Sequence, residues 1–374
     1  MEPFYPLKAS VCSNCFLVQV DEFETPEQIF TDHYPYFSSV SSSWLKHSED
    51  YSTQMIKRFG LTQKSKIVEV ASNDGYLLQY FKARGIPVLG VEPSASVAKV
   101  ARDKGIPTEE KFFGVETARD FLRQAHEADL MIGNNVLAHT PTLNDFVAGF
   151  KILLKKTGVV TFEFPHVMNL IHQNQFDTIY HEHFSYFSLL TVKKVLAQHG
   201  LRVFDVEELK THGGSLRVYA CHQEDPEKAV QVSVEALQEK ERAAGLDNLK
   251  TYQDYTKRVE QTKYQILEFL ITAKKAGKVT VGYGAPAKGN TLLNYCGIHS
   301  DLLRYTVDKS PYKQGMFLPG THIPIHDPSI LLADKPDYVF ILPWNLKDEI
   351  MESMKAIRSW GGKFVVPIPE LRVL

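Results

Sequence analysis

Four side chains that can hold or move protons occupy consecutive positions in the middle of the chain: Tyr180, His181, Glu182 and His183. A histidine with an ordinary pKa of about 6.5 accepts a proton near neutral pH, and a neighbouring carboxylate can hold its tautomer or stabilise its charged form. A tyrosine hydroxyl can donate a hydrogen bond to an enolate as it forms. The histidines are two positions apart, so this is not the H-E-x-x-H zinc motif. These residue types predict acid–base chemistry; the alternative is a set of structural polar residues.

A turn that ends at Gly75 predicts a cofactor site. Residues 66–71 form an apolar strand with an acidic residue near its end, and the small, polar turn after it leads into a helix with exposed backbone N–H groups. Glu92 ends the next predicted strand, where a carboxylate can accept hydrogen bonds from both hydroxyls of a ribose. The turn holds one glycine where a dinucleotide-binding loop has three, which favours S-adenosylmethionine (SAM) over NAD. The alternative is an ordinary turn with a solvated Glu92.

Residues at the end of a later strand extend this candidate site. Asn134 and Asn135 can line the end of the pocket that holds the sulfonium group, and His139 points to the same edge. The predicted cofactor-binding residues are Glu69, Ala71, Ser72, Asn73, Asp74, Gly75, Glu92, Asn134 and Asn135.

Two more glycine-containing stretches are candidates for substrate binding. In residues 212–217 two glycines allow a ligand to approach the backbone, and Arg217 could pair with a phosphate. The alternative is a hairpin turn with a surface arginine. In residues 281–291 three glycines and Lys288 follow a strand and open a helix, which is typical of a phosphate site. This loop is neither a Walker A motif nor the strict dinucleotide fingerprint, so a structural turn or the NAD site of a dehydrogenase are the alternatives.

Cys12 and Cys15 form a CxxC pair near the N-terminus. Such a turn can direct two thiolates to one zinc ion, which is normally held by four ligands. Cys221 and Cys296 are isolated in the sequence, so the pair is half of such a site. The alternatives are a site that His33 helps to complete, a redox-active pair, or ordinary structural thiols.

The composition excludes several classes of protein. The 374 residues carry 42 Lys and Arg against 44 Asp and Glu, a formal net charge of −2, which lacks the basic character of a general nucleic-acid-binding protein. Aromatic residues make up 11% of the chain, unlike in a disordered protein. There is no transmembrane run, no evident signal peptide and no disulfide scaffold among four cysteines. We expect a cytoplasmic enzyme for a small molecule, a monomer or small homo-oligomer, with no nucleic-acid or membrane partner.

Alternating strands and helices must position the candidate residues. From residue 51 the strands and helices alternate as βαβ units do, which predicts a parallel sheet, and residues 201–209 and 216–221 form a hairpin that closes it. The expected fold class is α/β. It comprises a small zinc-knuckle remnant at residues 1–50, a central Rossmann-like SAM-binding domain at residues 51–222, and a helical segment with a C-terminal Rossmann-like domain at residues 223–374.

The chain resembles the SAM-dependent sugar C-methyltransferases, which methylate C3 of nucleotide-linked 4-keto deoxysugars. The likeness covers nearly the whole chain and is carried by the stretches VCSNCFLVQ, EVASNDGYLL, GNNVLAH, TIYHEHFSYFS, THGGSLR, GYGAPAKGNTLLNYCGI, PGTHIPI and ILPWNLKDEI. Family members share one zinc ion between two CxxC pairs, whereas this chain has the second pair alone and begins where the segment between the pairs would lie. The resemblance therefore leaves open both zinc binding and the completeness of the N-terminus.

The resemblance also implies roles for matching residues. It implies that Glu92 holds the ribose of SAM, that residues 71–75 lie under its amino-acid end, and that His183 is the base. The other implied catalytic residues are Glu182, Tyr180, His139, Tyr34 and Tyr36. The implied substrate-binding residues are His181, His212, Gly213, Ser215, Arg217, Gly284 and Lys288, with Lys288 near the nucleotide.

In the implied reaction, His183 takes the proton from the carbon beside the 4-keto group, and the enolate attacks the methyl group of SAM. The sequence leaves two further functions open. One is a SAM-dependent O- or N-methyltransferase for another small acceptor, and the other is a non-catalytic protein that binds SAM or a nucleotide sugar.

Overall fold

A computed structural model describes residues 2–31 and 37–374 of the chain, except for the side chain of His212. The strands are β1 (Ala9–Val11), β2 (Val18–Val20), β3 (Ile67–Val70), β4 (Val88–Val91), β5 (Thr108–Glu109), β6 (Ala128–Asn134), β7 (Leu154–Pro165), β8 (Ser185–Tyr186), β9 (Leu201–Leu209), β10 (Ser215–His222), β11 (Thr280–Tyr283), β12 (Thr306–Val307), β13 (Ile325–His326), β14 (Tyr338–Ile341), β15 (Lys363–Val366) and β16 (Arg372–Val373). The α-helices are α1 (Pro26–Ile29), α2 (Ser42–Phe59), α3 (Leu78–Lys82), α4 (Ala95–Asp103), α5 (Val115–Arg123), α6 (Leu143–Leu153), α7 (Val167–His172), α8 (Leu189–Gln198), α9 (Val232–Ala243), α10 (Leu249–Lys275), α11 (Ala287–Cys296), α12 (Ile330–Asp334) and α13 (Lys347–Ser353). Within the described ranges, no helix has both the length and the apolar character needed to cross a membrane.

The chain divides into two compact units. The central unit comprises Ser10–His166 and His181–Asp247, and the C-terminal unit comprises Val167–Tyr180, Asn248–Leu374 and a short N-terminal stretch that ends at Ala9. This grouping differs from the three ranges expected from the sequence, which were divided at residues 50 and 222.

Apolar burial explains why the central unit crosses those two positions. Leu17, which precedes β2, is buried in the same apolar cluster as the strands of the central sheet. Val234 and Leu237, on one face of α9, are buried in that cluster as well. Removing these side chains from water stabilises the central unit, so segments on both sides of the predicted domain contribute to its core. The three domain ranges themselves stay a prediction.

The central unit is built around a seven-stranded sheet with the strand order β5-β4-β3-β6-β7-β10-β9. The strands from β5 to β7 are parallel, whereas β10 runs antiparallel between β7 and β9. The inner strands are rich in Val, Ile and Leu and are buried almost throughout, as expected for a parallel sheet that helices cover. This arrangement confirms the Rossmann-like class and the hairpin that closes the sheet.

The strand order reverses between β3 and β6. The chain passes from β3 to β4 and β5 on one side, and then returns to β6 and β7 on the other. The loops that follow β3 and β6 therefore diverge and leave a crevice at the carboxyl edge of the sheet, where α/β proteins bind their ligands. The cofactor candidates after β3, β4 and β6 all lie on this edge.

Helix α2 covers one face of the central sheet. The Ser41 hydroxyl caps it by accepting a backbone N–H, and Gly60 ends it in the left-handed conformation with φ of 60°. On its buried side, the Tyr51 hydroxyl lies 2.6 Å from the Thr161 hydroxyl of β7. This contact fixes the helix over β7, and His47 lies about one turn before Tyr51 on the same helix.

The C-terminal unit contains a second sheet with the order β13-β12-β11-β14-β15-β16. Its strands are parallel except for β16, which pairs antiparallel with β15 at the edge. The strand order reverses between β11 and β14, so this unit also has the Rossmann-like arrangement that the sequence predicts. Separately, β1, β2 and β8 form a small three-stranded sheet.

A buried carboxylate joins α9 to α8 in the central unit. Glu241 of α9 accepts hydrogen bonds from the Leu189 and Leu190 N–H groups at the start of α8, at 2.6 and 2.8 Å. His166 Nε2 lies 2.7 Å from the same carboxylate, and the side chains of both residues are fully buried. The negative charge also complements the dipole of α8 at its N-terminus.

We expect Glu241→Ala to lower the free energy of unfolding by about 3 kcal/mol, because it leaves two helix N–H groups and His166 buried without their acceptor. Urea denaturation followed by circular dichroism measures the change. Glu239→Ala, at an exposed position of the same helix, is the control and should change the value by less than about 0.5 kcal/mol. Equal effects of the two substitutions would contradict this assignment.

Candidate active site

The turn after β3 has a strained backbone that is held by close packing. Ala71 and Asn73 adopt left-handed conformations with φ of 57° and 49°, and Gly75 has φ of 76°. A Cβ atom at Gly75 would lie 2.9 Å from Cγ1 of Ile106, so a larger residue does not fit here without a shift. Non-glycine residues in this conformation are uncommon and occur preferentially at functional sites. The sequence identified this turn but did not predict its strain.

Glu92 fixes the same turn from the end of β4. One of its carboxylate oxygens accepts the Asn73 N–H at 3.0 Å, and the other accepts the Ser94 N–H at 3.0 Å. Burial raises the pKa of Glu92 to about 7, while these two hydrogen bonds oppose the shift. Each carboxylate oxygen keeps a further lone pair, which suits the ribose hydroxyls of the predicted cofactor.

Glu69 lies deeper in the structure than Glu92. Its carboxyl is fully buried, and burial raises its pKa well above the ordinary value, which a hydrogen bond from Tyr76 partly opposes. The nearby charges of Glu92 and Asp74 raise the pKa further. The predicted cofactor residue Glu69 is therefore a buried acid under the turn.

Several buried polar atoms at this edge have no protein partner among the described residues. These are Ser72 Oγ, Asp74 Oδ1, both amide atoms of Asn134, Asn135 Oδ1 and His139 Nδ1. The other oxygen of Asp74 pairs with Lys104 Nζ at 3.0 Å. Buried polar groups normally have partners, and SAM offers ammonium, carboxylate and hydroxyl groups to such atoms. The residues present at this edge therefore fit the cofactor.

The two asparagines follow directly from the end of β6. Asn134 is the last residue of the strand and lies opposite Glu163 of β7. Asn135 has φ of 52°, and its N–H donates to the Glu163 carbonyl at 2.7 Å. This contact turns the chain away from the sheet toward His139.

The structure brings His139 and His183 together. Their ring centroids are 4.6 Å apart in an edge-to-face arrangement, and the ring of Tyr186 lies 5.9 Å from that of His183. The Phe184 N–H donates to the Ala138 carbonyl at 2.7 Å, which holds the two segments side by side. Two imidazoles that were 44 positions apart in the sequence therefore share the edge that carries the cofactor candidates.

Burial shifts the pKa of one imidazole of this pair, His139, and of the adjacent carboxyl of Glu182. It lowers the pKa of His139 to about 4, although a hydrogen bond to the Glu182 backbone opposes the shift. The imidazole of His139 is thus neutral at physiological pH and can donate one hydrogen bond. Burial also raises the pKa of the Glu182 carboxyl.

Two other candidates of the motif, His181 and Tyr180, have different surroundings, and two tyrosine candidates lie elsewhere in the sequence. The ring of His181 makes an edge contact with Phe23, with centroids 6.1 Å apart. Tyr180 is the last residue of the segment that belongs to the C-terminal unit, whereas His181 begins the second part of the central unit. Tyr34 and Tyr36 lie outside the described residues.

Arg217 forms buried ion pairs. One terminal nitrogen lies 3.0 Å from Glu163 and the other 3.2 Å from Glu207, and the side chain of Arg217 is only 3% exposed. His47 Nε2 also lies 2.9 Å from the Glu163 carboxylate. The guanidinium that the sequence offered to a substrate phosphate is thus engaged by carboxylates of its own chain. These contacts favour a structural role for Arg217 over its predicted role in substrate binding.

The glycine turn before β10 is anchored by the same carboxylate. The Thr211 hydroxyl donates to Glu163 at 3.0 Å, and the Ser215 hydroxyl donates to the Thr211 carbonyl at 3.0 Å. Gly213 has φ of 86°, which favours glycine at that position. Of His212, a substrate candidate in the same turn, no side-chain position is described.

Sequence reasoning missed His47 and Glu163. The available signals were a charged residue within the apolar strand β7 and a Trp-x-x-His spacing on the predicted helix before it. In the structure the indole of Trp44 stacks on His47 at 4.8 Å and on Tyr76 at 5.9 Å. These contacts connect α2 to the residue that follows the cofactor turn.

The remaining substrate candidates lie in the C-terminal unit. Gly284 has φ of 92° at the end of β11. Lys288, in the first turn of α11, donates to Asn345 Oδ1 at 2.8 Å, and its Nζ lies 4.7 Å from the ring centroid of Trp344. The Lys288 ammonium is therefore held by residues of the same unit.

Cys12 and Cys15 form a tight turn. The Phe16 N–H donates to the Cys12 carbonyl at 2.9 Å, and Phe16 has φ of 65°. Hydrogen bonds from the Cys15 and Asn14 backbone lower the pKa of the Cys12 thiol, as suits a metal ligand. Across the described part of the chain, however, no three His, Cys, Asp or Glu side chains are grouped as a metal site would require. Two thiols alone do not complete a structural zinc site.

Three family models match successive parts of the chain. Residues 44–206 match a methyltransferase domain, and residues 210–369 match the C-terminal domain of C-methyltransferases. Residues 1–30 match a model described as "Putative zinc binding domain".

Known proteins similar to the chain include the C-methyltransferase NovU of Streptomyces niveus. The two are 36% identical over 373 residues, which cover 100% of this chain and 88% of NovU. Similarity over the full length means that the relation is not confined to one domain.

Solved structures show more distant likeness. The magnesium protoporphyrin IX methyltransferase (ChlM) from Synechocystis, with bound SAM, is 13% identical with a TM-score of 0.37, and covers 49% of this chain and 82% of its own. An S-adenosylmethionine-dependent methyltransferase from Clostridium acetobutylicum is 11% identical with a TM-score of 0.39, and covers 48% and 92%. Likeness this remote carries no functional conclusion.

We expect Glu92→Gln to weaken SAM binding about tenfold or more, because an amide cannot accept from the ribose hydroxyls as a carboxylate does. The pKa of Glu92 near 7 adds a pH dependence: protonation removes the charged acceptor, so wild-type affinity should fall as the pH drops from 8 to 6. Titration calorimetry with SAM at several pH values measures both effects.

The control for this experiment is Glu127→Gln. Glu127 is exposed and precedes β6 at the opposite, amino edge of the sheet, so its substitution should leave both the affinity and its pH dependence unchanged. A wild-type affinity that stays constant between pH 6 and 8 would count against the role given to Glu92.

Proposed function

This chain belongs to the C-methyltransferase family, and on that premise we propose that it methylates C3 of a nucleotide-linked 4-keto deoxysugar. It is a SAM-dependent methyltransferase. The observation that supports this acceptor is the pair of imidazoles, His139 and His183, at the cofactor edge of the central sheet.

Methylation of carbon needs a base, since a C–H bond must lose its proton before the carbon can act as a nucleophile. A carbonyl group next to that carbon makes the proton acidic enough, because the electron pair is then delocalised as an enolate. A 4-keto sugar has this arrangement at C3. The acid–base cluster at residues 180–183 is therefore better explained by a carbon acceptor than by an oxygen or nitrogen acceptor.

We assign the base to His183. Its imidazole takes the C3 proton, and the electron pair of the broken C–H bond forms the enolate. The carbon then bonds to the methyl group, and the electron pair of the C–S bond leaves with sulfur. SAM supplies an activated methyl group on a sulfonium that departs as a neutral thioether.

His139 is assigned to stabilise the enolate. Burial keeps it neutral, so one ring nitrogen carries the proton and the other is an acceptor; in the tautomer with the proton on Nδ1, that N–H donates to the developing oxyanion. Its Nδ1 is buried and has no partner among the described residues. A donor that is already in place is more effective than one that must reorient.

The residues proposed for cofactor binding follow the geometry of the edge. Glu92 takes the ribose hydroxyls, the turn 71–75 with Asp74 takes the amino-acid end, and Asn134 and Asn135 line the path between the cofactor and His139. Arg217 is assigned a supporting role through Glu163, since both its terminal nitrogens contact carboxylates.

We expect His183→Asn to retain SAM affinity within about twofold and to lose methyl transfer by a factor of at least about 100, a typical contribution of a positioned base. The assay incubates the protein with SAM and a panel of nucleotide-4-keto sugars and detects the added methyl group by mass spectrometry. In parallel, exchange of the C3 proton in deuterated water reports the base directly.

His222→Asn provides the matched control, because His222 belongs to the same unit and its Nε2 lies 2.9 Å from the Leu154 carbonyl at the start of β7, which is the amino edge of the sheet. It should leave both exchange and transfer intact. Proton exchange at the wild-type rate in His183→Asn would remove His183 as the base. If His183→Asn still transfers the methyl group, to an oxygen or nitrogen atom of an acceptor, the reaction is O- or N-methylation and not the proposed C-methylation.

A further inference from the structure

We propose that the crevice of the C-terminal sheet is closed by the chain itself and serves as a clamp for residues 174–179. In this clamp Asp177 is the positioning residue that fixes Tyr180. The significance of Tyr180 for catalysis rests on the proposed function; the clamp does not.

The crevice is defined by the strand order of the C-terminal unit. β11 and β14 are parallel neighbours, and the order reverses between them. In α/β proteins this is the position at which a nucleotide binds, between the loops that follow the two strands. Here those loops are residues 284–287, which lead into α11, and residues 342–346 after β14.

The two loops are in close contact with each other. A Cβ atom on Gly284 would lie 2.5 Å from Cδ of Pro343, and one on Gly289 would lie 2.8 Å from Cβ of Leu342. The glycines that suggested a phosphate loop are thus required for contact with the chain after β14. They do not hold the two loops apart for a pyrophosphate.

Asp177 reaches this contact from outside the sheet. Its carboxylate accepts the indole N–H of Trp344 at 2.7 Å, and Asp177 is fully buried while Trp344 is 7% exposed. Lys288 is close enough for its charge to lower the pKa of Asp177 against the effect of burial. The Lys288 ammonium and the Asp177 carboxyl therefore both contact Trp344, the ammonium 4.7 Å from its ring and the carboxyl through its indole N–H, at the N-terminal end of α11, where a nucleotide phosphate would otherwise be expected.

Further contacts fix the segment on both sides of Asp177. The ring of Phe176 lies 5.3 Å from that of Tyr295, and the Thr291 hydroxyl donates to the Ile179 carbonyl at 3.1 Å. Both partners belong to α11. The segment therefore runs along α11, which anchors residues 176 and 179, while the loop after β14 anchors residue 177.

The start of the segment is held by α10. The Asn174 amide donates to the Thr262 hydroxyl at 2.6 Å, and Asn174 has φ of 53°. A left-handed residue at that position turns the chain out of α7 and toward α11. The described anchors of residues 174–179 thus lie on α10, on α11 and on the loop after β14.

This clamp fixes the backbone position from which the acid–base motif starts at Tyr180. Tyr180 directly follows the anchored Ile179, and His181, Glu182 and His183 follow in turn along the chain. The last fixed backbone group before the acid–base motif is therefore the Ile179 carbonyl. Release of Asp177 should loosen residues 176–183 and leave the cofactor turn at residues 71–75 unaffected.

Hydrogen–deuterium exchange on the full-length protein tests the clamp without any substrate. In Trp344→Phe and in Asp177→Ala, which remove the donor and the acceptor of one hydrogen bond, peptides that cover residues 174–186 should exchange about tenfold faster. Asp177→Asn keeps an acceptor and should stay near the wild-type rate. Trp360→Phe removes a similar indole hydrogen bond, to the Pro336 carbonyl at 3.0 Å in the same unit, and should leave these peptides unchanged.

Activity then separates positioning from folding. We expect Trp344→Phe to lower kcat about tenfold and to keep SAM affinity within twofold, and Asp177→Asn to restore most of the kcat lost in Asp177→Ala. The double variant Asp177→Ala, Trp344→Phe should be no slower than Asp177→Ala, since both changes remove the same contact.

Two results would overturn the clamp. One is unchanged exchange of residues 174–186 in both Trp344→Phe and Asp177→Ala. The other is saturable binding of NADH to the wild-type protein that Lys288→Ala abolishes, since it would show an open nucleotide site. If no sugar is methylated but the exchange results hold, the clamp stands and the proposed substrate fails.

Discussion

The carboxylate of Glu163 is the interaction on which the carboxyl edge of the central sheet depends. A buried charge is costly unless it is paired and hydrogen-bonded, and Glu163 binds His47, Arg217 and the Thr211 hydroxyl. Burial alone would raise its pKa, but His47 and Arg217 lower it below the ordinary value. One ionised side chain thus fixes α2, β10 and the glycine turn, while its own carbonyl holds Asn135.

The two sheets show how the same topology can serve different ends. In the central unit the loops after β3 and β6 diverge and present buried polar atoms without protein partners. In the C-terminal unit the loops after β11 and β14 touch through Gly284 and Gly289, and the Asp177 carboxyl and the Lys288 ammonium both contact Trp344. A glycine-rich loop after a strand therefore does not by itself specify a ligand. Whether a ligand can bind there depends on which groups lie opposite the glycines.

Much of this architecture follows from the sequence because it depends on local pattern. Apolar runs bounded by turns gave both sheets, and the polar residues after β3, β4 and β6 lie on one edge because parallel strands end there together. Pairs such as Glu163 with Arg217, or Asp177 with Trp344, could not be predicted, since each joins residues far apart in sequence. For the same reason the sequence presents the Lys288 ammonium and the Arg217 guanidinium as candidate ligand-binding groups without showing their protein partners.

The division of the C-terminal unit has a consequence for how the protein is made. Residues 167–180 leave the ribosome well before residues 248–374, with which they pack. During synthesis, Phe176 cannot contact Tyr295, and Asp177 cannot contact Trp344, until more than a hundred further residues have been added. The two units cannot be exchanged between relatives by a single crossover: a junction between residues 180 and 248 separates this segment from its partners, and a junction just before residue 167 divides the central unit.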